Sequence, residues 1–270
     1  MKEIELRLGG RVLHAYDTGG DATLTVFWHH GTPNIGQPPE PLFRKSIRWV
    51  SFDRPGYGGS TRLPGRSVGS VAADVAAIAD ELGVERFAVM GHSGGGCHAL
   101  ACGALLPDRV VAVVSGAALA PFGAEGLDWF AGMVPSGRAS LSAAAAGRQA
   151  KEAHEASGFE YDPEFTEADM ATLDGPWKWL GRVAGAGMDA GPGGLIDDDL
   201  AYVNPWGCDP RGITVPVLLL HGDRDGIVPV SHGRWLAAHC PTAELRLAEG
   251  AGHISVLNGA QSAVDWLLDV

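Results

Sequence analysis

The chain has 270 residues, 46% of them hydrophobic and only 19% charged, with a formal net charge of −12. That is enough apolar material for one large core and excludes an intrinsically disordered chain, and the length suits a single α/β core with an insertion rather than two independent domains. The negative balance disfavours phosphate backbones and anionic membrane surfaces, so neither nucleic acid nor membrane is expected as a partner.

In chain order, Glu3–Leu8 and Val12–Asp17 flank Gly9-Gly10 and read as a hairpin. Leu24–Trp28 and Ile47–Phe52 are apolar runs bounded by glycine and proline, as buried strands are. Val71, Val75, Ile78 and Leu82 share one helical face, and Gly83 is a helix stop. Phe87–Met90 reads as a strand, Cys97–Leu106 as a helix ending before Pro107, and Val110–Val114 as a strand. This alternation predicts a mostly parallel sheet with helices on both faces. From residue 121 to 205 the pattern holds helical stretches and glycine-rich breaks but no buried strand. Ser140–Ser157 is alanine-rich and reads as helical, and Thr166 with Asp169 resembles a capping start. Alternation resumes with Val215–Leu220, Trp235–Ala238, Ala243–Leu247 and a helix near Ala260–Leu268. The expected organisation is a core from 1–120 and 206–270 with a helical lid at 121–205.

Cys97, Cys102, Cys208 and Cys240 form no C-x-x-C pair and are expected as free thiols in a reducing compartment. The segment MKEIELRLGG lacks the apolar stretch of a signal peptide, and no run of 18 or more apolar residues exists. The expected location is the cytoplasm.

The sharpest local signal is Gly91-His92-Ser93-Gly94-Gly95, a G-x-S-x-G between an apolar strand and a helix. A serine on so sharp a turn needs small neighbours two residues away, and the helix N-terminus brings N–H groups and a positive dipole beside it. A serine hydroxyl needs a positioned base, which in this order of elements comes late. His253 follows the last predicted strand and is preferred to His221 and His232. Asp223 and Asp225 both follow the preceding strand. Asp223 suits the turn, and Asp225 precedes Gly226-Ile227-Val228-Pro229, which positions the loop. An acyl-transfer site also needs two N–H groups aimed at a developing oxyanion. Gly94 is one natural donor. In His29-His30-Gly31-Thr32-Pro33, after the third strand, Thr32 is the other. The paired histidines lack a second ligand cluster at metal spacing, so no metal is expected.

Taken together, His30-Gly31-Thr32-Pro33, Asp53-Arg54-Pro55-Gly56-Tyr57-Gly58-Gly59-Ser60, Gly91 to Gly95, Gly222 to Pro229 and Gly252-His253 resemble the α/β-hydrolase superfamily in its branch with a helical lid. The resemblance covers the core on both sides of the insertion. It implies a catalytic triad of Ser93, Asp225 and His253, with oxyanion donors Thr32 and Gly94, and no cofactor. It implies that Asp53 to Ser60 supports the oxyanion strand. The loop reads as structural, and for Arg54 contact with substrate or pairing with Asp53 stays open as an alternative. Dehalogenases and epoxide hydrolases of this fold carry aspartate at the elbow, and proline iminopeptidase-like members resemble Gly-Gly-Ser-Trp-Gly. This chain has neither. A small-molecule carboxylic ester is therefore the first expected substrate. Carbon–carbon bond hydrolase, lactonase, thioesterase and amidase chemistry stay open, as does a non-turnover binding role. The tryptophans Trp129, Trp177, Trp179 and Trp206 either wall the acyl pocket or pack the lid on the core. Nothing in the sequence indicates an oligomeric state.

Overall fold

In the computed structural model, which describes residues 1–270, the apolar runs assemble into one eight-stranded sheet. β1 (Lys2–Leu8) and β2 (Arg11–Asp17) form a hairpin whose Gly9 and Gly10 both have positive φ, 53° and 87°. Such a two-residue turn requires that conformation at both positions. β3 (Leu24–His29), β4 (Ile47–Phe52), β5 (Phe87–His92), β6 (Val110–Gly116), β7 (Val217–Gly222) and β8 (Ala243–Ala248) follow. The spatial order is β1-β2-β4-β3-β5-β6-β7-β8. β2 is antiparallel to both its neighbours, and every other pairing is parallel.

The chain moves outward from β3 to β4 and then returns to place β5 on the other side of β3. At such a reversal the loops leaving the two central strands part to opposite faces and open a crevice at the strands' carboxyl ends. The loop after β3 holds Thr32, and the turn after β5 holds Ser93.

Helices cover both faces. α1 (Val71–Glu81) and α2 (Gly94–Leu105) lie between strands of the first half, and α8 (Val230–His239) and α9 (Ala260–Asp269) in the second. Because side chains alternate along a strand, Phe27, Val50 and Val89 enter one core while Val26, Trp28, Trp49 and Met90 enter the other. Between β6 and β7 the chain forms no strand. It runs through α3 (Pro135–Ala145), α4 (Arg148–Ala156), α5 (Glu167–Asp174), α6 (Trp179–Ala186) and α7 (Gly193–Val203).

The alanine-rich stretch 140–157 is helical, as expected, but in two pieces. Gly147, with φ 109°, breaks it into α3 and α4. Alanine propensity runs across the break, but the left-handed glycine turns the chain so that α4 packs against α7. The glycine-rich stretch 191–194 spans a break and a helix start: Gly191, with φ 83°, lies between α6 and α7, and Gly193 and Gly194 open α7. Gly194 belongs there because a Cβ would stand 2.8 Å from the Gly56 carbonyl and 2.9 Å from the Tyr57 ring. The four tryptophans named above are buried, and none lines the cavity beside Ser93. Trp179 packs edgewise on Trp28 of the sheet, Trp177 packs in the same way on Trp179, and Trp129 donates its indole N–H to the Ala120 carbonyl at 2.8 Å. All four cysteines are free. No helix is long and apolar enough to cross a membrane.

Candidate active site

Ser93 joins β5 to α2 with φ 58° and ψ −129°, a backbone state that costs a residue with a Cβ on the order of 1–3 kcal/mol. Surrounding contacts hold it there. Its N–H donates to the Gly116 carbonyl at 2.8 Å. A Cβ on Gly91 would collide with the Gly95 carbonyl, and one on Gly95 with the His29 carbonyl. The two glycines of the motif are therefore required by close backbone approach. The result is a half-buried hydroxyl at the N-terminus of α2.

The Ser93 hydroxyl is 2.9 Å from His253 Nε2, and His253 Nδ1 is 2.8 Å from Asp225 Oδ2. With Nδ1–H donating to the carboxylate, Nε2 is left to accept the serine proton. Asp225 Oδ1 accepts the N–H groups of Ile227 and Val228 at 2.9 and 2.8 Å, which aims the other oxygen at the imidazole. Burial works to raise the Asp225 carboxyl, but His253 beside it and these hydrogen bonds prevail and hold it below the usual carboxylate range. Asp223 instead accepts the Gly250 N–H at 2.8 Å and shapes the turn. Neither competing histidine reaches Ser93. His221 donates to the Val228 carbonyl at 2.7 Å. His232 has both ring nitrogens engaged, by the Ala120 N–H and the Trp129 carbonyl, and burial pushes it down to about 4.

His92 steadies the base from beneath. Burial, with His253 nearby, pushes its imidazole down to about 3, so it stays neutral, and its Nε2–H donates to the His253 carbonyl at 2.7 Å. Asp169 of α5 holds the other side. Its Oδ1 accepts from the Ile254 N–H (2.9 Å) and from the Ser255 N–H and hydroxyl (both 2.7 Å). Its Oδ2 completes the capping box by accepting the Thr166 N–H at 3.2 Å. One carboxylate therefore caps a helix of the insertion and fixes the histidine loop of the core. Burial alone would raise it, and the hydrogen bonds from Ser255, Thr166 and Ile254 bring it below the ordinary value. Asp169→Ala is expected to cost about 3 kcal/mol of stability, since hydrogen bonds to a charged acceptor are worth about 1.5–3 kcal/mol each and do not add fully. A carboxyl whose folded pKa is lowered stabilises fully above its unfolded value, and that share is lost as pH falls through the folded one. The stability gap between wild type and variant should therefore be whole at neutral pH and shrink below about pH 4. Urea unfolding of both proteins across pH 3–7 checks this, and a gap that does not narrow in acid would contradict it.

Thr32 and Gly94 adjoin. A Cβ on Gly94 would stand 2.8 Å from Thr32 Oγ1. Gly94 opens α2, so its N–H has no partner inside the helix. Neither it nor the Thr32 N–H is engaged by a turn or loop acceptor. Both residues line the cavity that holds Ser93. The Thr32–Pro33 peptide is cis.

Arg54 neither touches this cavity nor pairs with Asp53, the two alternatives left open for it. Asp53 is occupied by the Gly36 and Gly59 N–H groups and His14. Arg54 is 1% exposed and lies beneath the Thr32 loop. It donates to the carbonyls of His30 and Gly31, the latter at 3.0 Å, and to Asp198 Oδ2 at 2.7 Å. The same carboxylate accepts from Thr32 Oγ1 (2.6 Å) and the Tyr57 hydroxyl (2.8 Å) and pairs with Arg66 through Oδ1 (2.7 Å). Burial would raise Asp198, but Arg54 and Arg66 hold it well below the carboxylate range. The grip on two successive carbonyls sets the peptide planes leading into Thr32. Arg54 is thus a positioning residue.

Asp198 stands second in Asp197-Asp198-Asp199, three consecutive buried aspartates of α7. Each meets a different cation. Asp197 pairs with Arg62 (2.6 Å) and Arg148 (2.7 Å), Asp198 with the arginines just described, and Asp199 with Lys151 (2.6 Å). Sequence reading missed Asp169, Asp198, Asp199 and Lys151 as parts of the site. A run of three aspartates next to glycines normally marks a solvated turn. The only contrary signal is the apolar Leu195-Ile196 before it and Leu200-Ala201 after it.

The cavity measures about 330 Å³. Its core wall includes Thr32, Gly94, Leu119 and Val228, and its outer wall comes from the insertion, including Leu141, Phe159 and Met188. A wider, open depression of about 650 Å³ around Thr18 and Trp49 lies away from Ser93, and no serine, cysteine or histidine lines it.

Comparison with known proteins agrees with this architecture. The family model described as the alpha/beta hydrolase fold matches residues 25–260. The chain is 27% identical over 261 residues to a 2-hydroxy-6-oxononadienedioate/2-hydroxy-6-oxononatrienedioate hydrolase of Cupriavidus pinatubonensis, covering 89% of this chain and 84% of that one. Among solved structures it is similar to a thermophilic esterase from Thermogutta terrifontis, with a TM-score of 0.72, 20% identity and coverage of 100% and 99%. It is also similar to the enol-lactonase from Burkholderia xenovorans, with a TM-score of 0.72, 21% identity and coverage of 98% of each chain.

Proposed function

The chain belongs to the α/β-hydrolase family, and from that premise we propose that it is a serine hydrolase acting on a small to medium carboxylic ester through an acyl-enzyme. The observation that carries this reading is the continuous chain Ser93 Oγ, His253, Asp225, with both hydrogen bonds at 2.9 Å or less. His253 takes the serine proton as Oγ attacks the carbonyl carbon. The Thr32 and Gly94 N–H groups receive the oxyanion. The leaving group departs with the proton from His253, and His253 then activates water to release the acid. Asp225 keeps the imidazole in the tautomer that accepts from serine and stabilises the imidazolium that forms. Residues 121–205 act as the lid over this site, with 1–120 and 206–270 as the core.

An ester is favoured over the dioate named for the Cupriavidus relative by the cavity's charge. No lysine or arginine lines it, whereas Glu155 and Asp199 do. A substrate with two carboxylates would meet like charge there. A non-turnover binding role is disfavoured by the assembled triad.

The test is steady-state hydrolysis of p-nitrophenyl esters from acetate to palmitate. A cavity of 330 Å³ is at the small end of ligand sites, so kcat/KM should peak at short to medium acyl chains and fall for long ones. Failure of well-folded protein to turn over any ester more than once would remove the reading.

A further inference from the structure

One stretch of the cavity wall is charged, and its charges do not balance. Lys151 of α4 is fully buried and does not line the cavity. Its ammonium reaches Asp199 Oδ2 at 2.6 Å, Glu155 Oε1 at 2.6 Å and Ser140 Oγ at 2.5 Å. An ammonium has three N–H groups, so all are occupied. Ser140 in turn donates to Asp199 Oδ2 at 3.1 Å. Asp199 Oδ1 and Glu155 Oε2 are left with no donor from the protein, and both residues line the cavity. The Asp199 side chain is only 9% exposed. Two carboxylates face one ammonium, so this part of an otherwise apolar cavity carries a net negative charge. Both oxygens, Asp199 Oδ1 and Glu155 Oε2, are accessible and free to accept from a ligand. Burial raises the Asp199 carboxyl even with Lys151 beside it, as expected of a carboxylate short of positive partners. Phe159 and Tyr161 line the same cavity.

We propose that Asp199 and Glu155 form a subsite for a protonated amine, so that the preferred ester carries an ammonium group on the part that lies against α4 and α7. This rests on the hydrolase reading of the same cavity and names its substrate class. The ammonium donates to Asp199 Oδ1 and Glu155 Oε2 while its alkyl chain lies on the apolar wall. Primary alkylamines are protonated at neutral pH, so the charge is present under ordinary conditions. A neutral chain of equal length leaves both carboxylate oxygens unmatched, and an anionic one is repelled.

The experiment compares kcat/KM of the wild-type protein for the p-nitrophenyl esters of 6-, 7- and 8-aminoalkanoic acids with those of alkanoic acids one carbon longer, in which a methyl group replaces the ammonium. A parallel calorimetric titration measures n-hexylammonium against hexan-1-ol on Ser93→Ala. The expected result is a preference for the amino ester of about tenfold or more at one or more lengths, since a hydrogen-bonded charge pair is worth at least that factor. The preference should fall with added salt and in Glu155→Gln. That variant is chosen because Glu155 is the more exposed of the two carboxylates, and Asp199 stays to pair with the buried Lys151. Ser93-dependent turnover with no preference at any length overturns the amine subsite and leaves the hydrolase standing. Absence of turnover on every ester removes the hydrolase reading instead. Titration then decides the subsite alone: hexylammonium binding that Glu155→Gln weakens supports it, and binding no tighter than that of hexanol overturns it.

Discussion

Ser93→Ala is expected to lower kcat on p-nitrophenyl butyrate by about 10⁴- to 10⁶-fold, with the protein still folded. Removing the nucleophile of an acyl-transfer triad forfeits nearly all that the three residues do together, and the residue left over comes from the oxyanion donors and binding. Here the Ser93 hydroxyl has one partner, His253 Nε2, so no other hydrogen bond is lost. The backbone at φ 58° is as strained for alanine as for serine, and the contacts that impose it come from Gly91, Gly95 and Gly116 rather than from the hydroxyl. Stability should therefore change by less than about 1 kcal/mol. Activity within tenfold of wild type in a variant with an unchanged melting temperature would mean that another group attacks the ester.

Asp198→Ala is expected to be the most damaging single change to the fold outside the hydrophobic core, at about 3–5 kcal/mol. The reason is what stays behind. Arg54 and Arg66, both nearly inaccessible, would face each other without a counter-charge, and Tyr57 and Thr32 would lose their acceptor. A buried pair contributes little net stability when both members are present, but stranding one of them is expensive. At about 2–4 °C per kcal/mol for a chain of this size, the melting temperature should fall by roughly 10 °C. Thermal unfolding, followed by circular dichroism, measures it. A fall of less than 2 °C would show that water or neighbouring carbonyls compensate the arginines. Any protein that folds should also hydrolyse esters more slowly, because Arg54 sets the peptides leading into Thr32 partly through Asp198.

The parts of this site that could be read from the chain are those whose geometry is local. Gly91 and Gly95 announce the Ser93 turn because two close approaches within five residues leave no room for a side chain. Asp225 was separated from Asp223 by the family resemblance, and the structure adds a local reason, since Asp225 binds the N–H groups of Ile227 and Val228 in the turn that follows it. The mostly parallel sheet was legible from runs such as Phe87–Met90, since a strand buried on both faces has no polar positions. What could not be read depends on distant partners. Arg54 meets Asp198 across 144 positions, and nothing near either residue names the other. Asp169 was legible as a cap because Thr166 lies three residues away, yet its hold on the His253 loop spans 85 positions and was invisible. The alanines of 140–157 speak for helix on both sides of Gly147, and only the packing of α4 on α7 requires the break.

The three aspartates of α7 carry one more implication, for how the chain can vary. Successive residues on a helix point about 100° apart, so the three carboxylates grip two segments at once: Asp197 and Asp198 hold the loop of Arg54, Arg62 and Arg66, while Asp197 and Asp199 hold α4 through Arg148 and Lys151. Inserting or deleting one residue before them would rotate every carboxylate away from its own partner. The helix therefore behaves as a key with three teeth, which tolerates replacement of a tooth together with its matching cation but not a shift of the whole. Descendants of this chain should exchange Asp199 and Lys151 as a pair, keep the length from Gly193 to Asp199 fixed, and absorb insertions and deletions in the exposed turn around Gly158.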